Sequence, residues 1–275
     1  MTEPSMWTRM TAENPEHSAA YIQRFRDLAA AGQDLFGEAR LVDAMLPRGS
    51  RVLDAGSGTG RVGGFLAAAG HAVVGVDGDP VLVAEAQRQH PGATWLVGDL
   101  AELDLPARGV PEPFDVVLCA GNVMTFLAES TRVEVLRRMR AHVAPGGRAA
   151  IGFGAGRGYP FEDFFADAAV AGWASDLLLS TWDLRPFTPD ADFLVAFLRP
   201  ACDAGFETPR GPPGPGDGPR GARVSVRRTA ASQAGRRIAT RKSASGVKGR
   251  RSHVDSSRSG AQPAAAASAK KSSNG

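Results

Sequence analysis

Arg51-Val52-Leu53-Asp54-Ala55-Gly56-Ser57-Gly58-Thr59-Gly60-Arg61 sets the fold of this chain. A short apolar run ends in an acid, three glycines follow at alternating positions, and Val62 to Ala69 read as a helix. The pattern is a strand feeding a helix through a turn that lacks Cβ at three points. Glycine serves where backbone takes φ > 0 or approaches a ligand closely, and the helix that follows offers unpaired N–H groups. The turn therefore reads as a cradle for a nucleotide-type cofactor. Its Gly-x-Gly-x-Gly spacing differs from the Gly-x-Gly-x-x-Gly of dinucleotide-binding folds.

Outward from that turn, strands and helices alternate. On the N-terminal side, residues 15–46 carry apolar groups at helical spacing, enough for one or two amphipathic helices broken near Gly32 or Gly37. On the other side, Gly70 closes the first crossover helix as its C′ residue. Ala72 to Asp77 is a second strand, again ending in an acid. Asp79-Pro80 reads as N-cap and N1 of a helix running to about His90. Ala93 to Val97 is a third strand, closed by Gly98-Asp99, and Phe114 to Ala120 a fourth, apolar enough to be buried on both faces. A helix over Thr131 to Val143 should end at Pro145-Gly146-Gly147, before a fifth strand from Arg148 to Phe153. This order calls for a doubly wound, mainly parallel sheet. Phe161 to Ala171 reads as helix, then Leu177 to Leu184 and Phe193 to Leu198 as strands. The connection between those two strands is too short for a parallel return, so they should be antiparallel.

Composition divides the chain. Residues 1–200 hold 17 Lys+Arg against 25 Asp+Glu, a net of −8, whereas residues 201–275 hold 15 against 4, a net of +11. Every lysine lies at or after Lys242, and Phe206 is the only aromatic beyond residue 200. Such a tail has too few large apolar groups to offset an ordering entropy of roughly 1–2 kcal/mol per residue. The expected organisation is an N-terminal helical cap over 1–46, a ligand-binding domain over 47–200, and a disordered, basic, low-complexity tail over 206–275. The tail could bind nucleic acid non-specifically or be a solvated extension. An acidic core disfavours nucleic acid as the core's own substrate. Cys119 and Cys202 make no disulfide framework. With no apolar leader after Met1 and no run near the roughly 20 apolar residues of a membrane span, a cytoplasmic protein without a membrane partner is expected.

Over about residues 35–200 the chain resembles the class I S-adenosylmethionine-dependent methyltransferases, in particular small stand-alone enzymes of bacterial type. The resemblance rests on Leu53-Asp54-Ala55-Gly56-Ser57-Gly58-Thr59-Gly60, on Asp77 (followed by Gly78) at the end of the second strand, on Gly98-Asp99-Leu100, and on Pro145-Gly146-Gly147. It implies a Rossmann-like α/β fold with a seven-stranded sheet of order 3-2-1-4-5-7-6, closing in an antiparallel hairpin. It implies S-adenosylmethionine as cofactor and a methyl acceptor that is a small molecule. Asp77 would take the two ribose hydroxyls, and Asp99 with the Leu100 N–H the adenine edge. The glycine turn would hold the methionine end, a carbonyl near Ala120 and Asn122 would meet the cofactor's ammonium, and Tyr21 would fold over it.

Several residues admit two roles. Asp54 could accept from turn N–H groups or from a bridged ammonium. Trp95 could pack or contact adenine, and Arg157 and Tyr159 could meet an acceptor or hold a loop. His71, His90 and His142 read as solvated or capping groups, and Trp182 and Phe197 as core residues in strands. No metal ligand set and no general base declare themselves. Gly121-Asn122-Val123-Met124 lacks the Asn/Asp-Pro-Pro-Tyr box of enzymes that methylate adenine or glutamine amides. A nicotinamide-dependent oxidoreductase on a similar sheet is the rival expectation.

Overall fold

A computed structural model describes residues 2–201; the expected tail over 206–275 lies outside the described residues. The seven strands are β1 (Arg51–Ala55), β2 (Ala72–Asp77), β3 (Thr94–Val97), β4 (Phe114–Cys119), β5 (Val143–Gly154), β6 (Trp173–Leu179) and β7 (Phe193–Pro200). They form one sheet of order β3-β2-β1-β4-β5-β7-β6. The first five are parallel, and β7 runs antiparallel to both β5 and β6. The doubly wound sheet and its closing hairpin are thus as expected.

Burial follows the two-residue period of a strand. Leu53 and Ala55, Val117 and Cys119, and Ile151 and Phe153 face one core cluster; Val52, Val116, Leu118 and Ala150 face the other. Both faces are covered, which is why the central strands read as continuous apolar runs. On one side lie helices α3 (Gly37–Ala44) and α4 (Arg61–Ala68); on the other lie α6 (Val123–Phe126), α7 (Arg132–Ala141) and α8 (Phe161–Val170). Helix α5 (Pro80–Gln89) follows β2, capped by Asp79, whose Oδ1 accepts from the Val81 and Leu82 N–H groups. Two helices precede α3: the expected α2 (His17–Ala30), and α1 (Met6–Glu13), which the apolar spacing did not signal. Ser5 caps α1 by accepting from the Thr8 N–H.

Four sequence expectations change. Helix α7 ends at Ala141, and Pro145-Gly146-Gly147 lies inside β5, where the pairing shifts register against β4. Gly146 takes φ +80°, and a Cβ on Gly147 would sit 2.8 Å from the Asp115 carbonyl oxygen, so the glycines let an irregular strand press against β4. Strand β6 spans Trp173–Leu179 instead of starting at Leu177 and running to Leu184. The polar Ala174-Ser175-Asp176 stretch hid its start at the sheet edge, where Trp173 anchors it by donating from Nε1 to the Leu136 carbonyl. Beyond Leu179 the backbone turns, with Ser180 N bonded to Arg185 O and Leu184 at φ +71°. Trp182 sits in that turn, not in a strand, and covers Gly152. Finally, His71 is buried and bonded to Asp43 instead of solvated, while His142, also buried, takes the capping role the sequence allowed, at the end of α7. His142 donates from Nδ1 to Arg138 O and accepts the Leu105 N–H at Nε2, which fixes its neutral tautomer.

Trp95 is settled as a packing residue. It is buried, its Nε1 donates to the His90 carbonyl, and its ring lies against the Cα positions of Gly60, Gly63 and Gly75. Gly60 caps α4 at φ +75°, and a Cβ there would lie 2.8 Å from Trp95 and 2.9 Å from Ala86. Gly60→Ala should therefore cost about 2 kcal/mol of unfolding free energy, from overpacking and a left-handed alanine. Urea denaturation followed by tryptophan fluorescence would read it.

Candidate active site

The ends of β1, β2 and β4, with the segment after β3, open onto a cavity of about 370 Å³. This is the edge where open α/β sheets bind ligands. Asp54, Gly56, Ser57, Thr59, Asp77, Gly78, Asp99, Leu100, Ala120 and Tyr21 all line it. Gly58, Gly60 and Asn122 do not. Gly58 N–H nevertheless donates to Asp77 Oδ2 at 2.7 Å, so it shapes the cavity through that carboxylate. Asn122 takes φ 67°, accepts the Gly154 N–H at Oδ1, and lines an adjoining cavity instead.

Asp77 ends β2 with both oxygens engaged. Oδ1 accepts the Asp79 N–H at 2.9 Å while Oδ2 accepts that of Gly58. Each oxygen has a further acceptor site. Burial raises its pKa, opposed by those two N–H groups. Asp54, the penultimate residue of β1, is 3% exposed and accepts the Gly63 N–H from the first turn of α4 at 2.9 Å. Burial pushes its pKa up to about 7, against the lowering effect of the Gly63 N–H and Arg61. Its sequence-level alternative of bonding a backbone N–H is thus realised, with the other oxygen left over. Gly56 takes φ +82°, and a Cβ there would collide with Val123 of α6. Asp99 uses Oδ1 to cap a short turn, accepting the Ala101 N–H.

A domain profile described as a methyltransferase domain matches residues 52–147. A solved structure of a TehB-like SAM-dependent methyltransferase from Corynebacterium glutamicum is 48% identical, covering 68% of this chain and 100% of that one, with a TM-score of 0.65. The chain belongs to the class I S-adenosylmethionine-dependent methyltransferases. The cofactor of this family is S-adenosylmethionine, and the nicotinamide-dependent alternative gives way. The methyltransferase is also 31% identical over 168 residues to dTDP-4-amino-2,3,4,6-tetradeoxy-D-glucose N,N-dimethyltransferase of Saccharopolyspora spinosa, covering 58% of this chain and 61% of that one. It is 36% identical over 87 residues to the uncharacterized methyltransferase sll0829 of Synechocystis, 32% of this chain and 40% of that one. The chain thus spans less than two thirds of the length of either curated relative.

The cavity suits a polar cofactor. Ser57 Oγ is buried in its wall without a hydrogen-bond partner among the described residues, an arrangement that costs free energy unless a ligand satisfies it. Around Gly58 the nearest side-chain atom to an added Cβ is Tyr21 Oη at 3.7 Å, leaving room beside the turn.

Sequence reasoning passed over part of this methyltransferase's cavity. Ser5, Trp7 and Thr8 of the first helical turn line it, as do Phe126 and Val97. Trp7 donates from Nε1 to Asp79 Oδ2 at 2.8 Å and meets Tyr21 and Phe126 edge-on. Ser18 donates to the same Asp79 oxygen. The one usable signal was Ser5, an N-cap residue ahead of Met6-Trp7. Tyr159 resolves to a structural role, buried against Phe153 and Phe164 with its hydroxyl donating to Asp167. Among the described residues no helix is long and apolar enough to cross a membrane.

Proposed function

We propose that this methyltransferase passes a methyl group to a small-molecule acceptor, with the 370 Å³ cavity as the cofactor site. The carrying observation is that Asp54 and Asp77 lie at or next to the ends of adjacent strands and line one cavity, together with a buried, unpartnered Ser57 hydroxyl. In this reading Asp77 accepts from both ribose hydroxyls, while Asp99 and the Leu100 N–H meet adenine. Asp54, the Gly56 turn and Ala120 surround the amino-acid end. Bound S-adenosylmethionine supplies a methyl on a sulfonium, activated because its positive charge is lost on transfer. The chain's own work is alignment and exclusion of water, and alignment alone can supply a large effective molarity. Tyr21, whose burial raises its pKa and keeps its O–H, closes one side of the site. His17 lines the adjoining cavity and offers an imidazole to an acceptor that must lose a proton.

The Saccharopolyspora relative, named for N,N-dimethylation of a nucleotide-linked amino sugar, supports a small acceptor. Incubation with methyl-labelled S-adenosylmethionine and cell extract should place label in the acid-soluble, low-molecular-weight fraction. Label confined to precipitated protein or nucleic acid would overturn the small-molecule acceptor. The same reading places the enzyme in the cytoplasm, and its recovery with membranes on cell fractionation would count against that.

The indole of Trp7 ties α1 to Asp79, two residues beyond Asp77. Trp7→Phe keeps a ring but removes the N–H, so S-adenosylhomocysteine should bind about tenfold more weakly, the value of roughly one hydrogen bond to a charged group. Calorimetric titration would check it; an unchanged constant would show that the Trp7–Asp79 bond lies outside the cofactor's reach.

A further inference from the structure

The second cavity adjoins the first and is larger, about 630 Å³. Tyr21, Arg61, Gly121 and Phe126 line both, so the two share a seam just beyond the end of β4. Much of its wall is apolar, from Met10, Phe25, Leu28, Leu35 and Phe126. Its charges are the informative part. Of the two acids in the wall, Glu38 is paired with Arg61 at 3.0 Å, and Asp34 is paired with Arg40. The wall's remaining cations, Arg24 on α2 and Arg157 just past β5, make no hydrogen bond or ion pair with any described residue. The acids are neutralised by their partners and two arginines are not, in a region (residues 1–200) whose own net charge is −8. Steering of anions to such a patch works against the net charge of that region and needs a local cause.

We propose that the larger cavity is the acceptor chamber and that Arg24 and Arg157 hold an anionic group of the acceptor there, a carboxylate or a phosphate. This rests on the neighbouring cavity being the cofactor site. A guanidinium presents planar paired donors that match both anions bidentately, and both arginines are exposed, so an anion reaches them directly from solvent. The anion anchors one end of the acceptor, the apolar wall takes its body, and the seam at Tyr21 and Gly121 is where its nucleophilic atom meets the methyl.

The test uses the full chain saturated with S-adenosylhomocysteine, titrated at constant ionic strength with inorganic phosphate and, separately, with succinate. Wild type should bind at least one of them saturably, and the stronger probe assigns the anchoring group as phosphate or carboxylate. Arg24→Gln and Arg157→Gln should each weaken that binding by about fivefold or more, as loss of a charge-assisted pair requires. Both variants should keep the S-adenosylhomocysteine affinity of wild type, which also shows that they fold. Saturable binding of neither probe, or binding unchanged in both variants, overturns the proposal. Failure of S-adenosylhomocysteine to bind wild type would instead strike the cofactor reading, and the anion titration run without it would still decide the chamber.

Discussion

Asp77→Ala is expected to raise the dissociation constant of S-adenosylhomocysteine about 100-fold, from the loss of two hydrogen bonds to a charged acceptor at about 1.5 kcal/mol each. The effect has two parts. The proposed ribose contacts vanish, and the Gly58 and Asp79 N–H groups, which donate to Asp77 at 2.7 and 2.9 Å, lose their acceptor. Gly58 belongs to the turn beside the site and Asp79 caps α5, so the cavity wall loosens along with the loss of the direct contact. Asp77→Asn keeps one oxygen for one of the two backbone N–H groups and sets an amide NH2 against the other, so it should lose part of the stability that Asp77→Ala loses, together with cofactor affinity. Calorimetry gives the constants and thermal melting the stability. A dissociation constant for Asp77→Ala within threefold of wild type would remove Asp77 from the cofactor site.

Asp54 should make both stability and cofactor affinity depend on pH, in opposite senses. Its folded-state pKa is raised to about 7 from the ordinary carboxylate value of about 4, chiefly by burial. The folded ligand-free chain therefore holds a proton that the unfolded chain releases between about pH 4 and pH 7. Its contribution to stability is present below the unfolded pKa and is lost as pH rises through about 7, a change on the order of 4 kcal/mol at 1.36 kcal/mol per pKa unit. The proposed pairing with the cofactor's ammonium favours the ionised form, so affinity should rise with pH up to about 7 and then level off, with proton release on binding below it. Asp54→Asn keeps an oxygen to accept the Gly63 N–H and removes the titration. The variant should melt higher than wild type at pH 8 without ligand, and should bind S-adenosylhomocysteine at least about tenfold more weakly, as loss of a buried ion pair requires. An affinity that does not change between pH 5.5 and 8 in wild type would show that Asp54 only stabilises the turn.

Local order in the sequence carried most of the sheet. Arg51 to Gly60 and Ala72 to Pro80 give strand, turn and helix start from neighbouring residues alone, because apolar runs, an acid, glycines and an N-cap act over a few positions. Those stretches hold six of the cavity's lining residues, Asp54, Gly56, Ser57, Thr59, Asp77 and Gly78, and the family resemblance added Asp99, Leu100, Ala120 and Tyr21. Trp173 to Asp176 failed the other way. A sheet-edge strand with exposed positions has no apolar alternation to read, and it exists because β7 pairs with it and Trp173 is held by the Leu136 carbonyl.

What the sequence by itself determined was the order of elements and the acids at the strand ends, since both follow from short-range chemistry. Only the tertiary structure decided which glycines serve the site and which serve packing. Gly60 is spaced like Gly56 and Gly58, yet Trp95, brought alongside from β3, fills the space where its Cβ would go. Likewise Trp7 lies 72 residues from Asp79 in sequence, and only folding of α1 over the sheet edge puts its N–H on that carboxylate. The charge balance of the second cavity is of the same kind. Whether an arginine is paired depends on which acids the fold brings to it, and that is a property of three-dimensional neighbours.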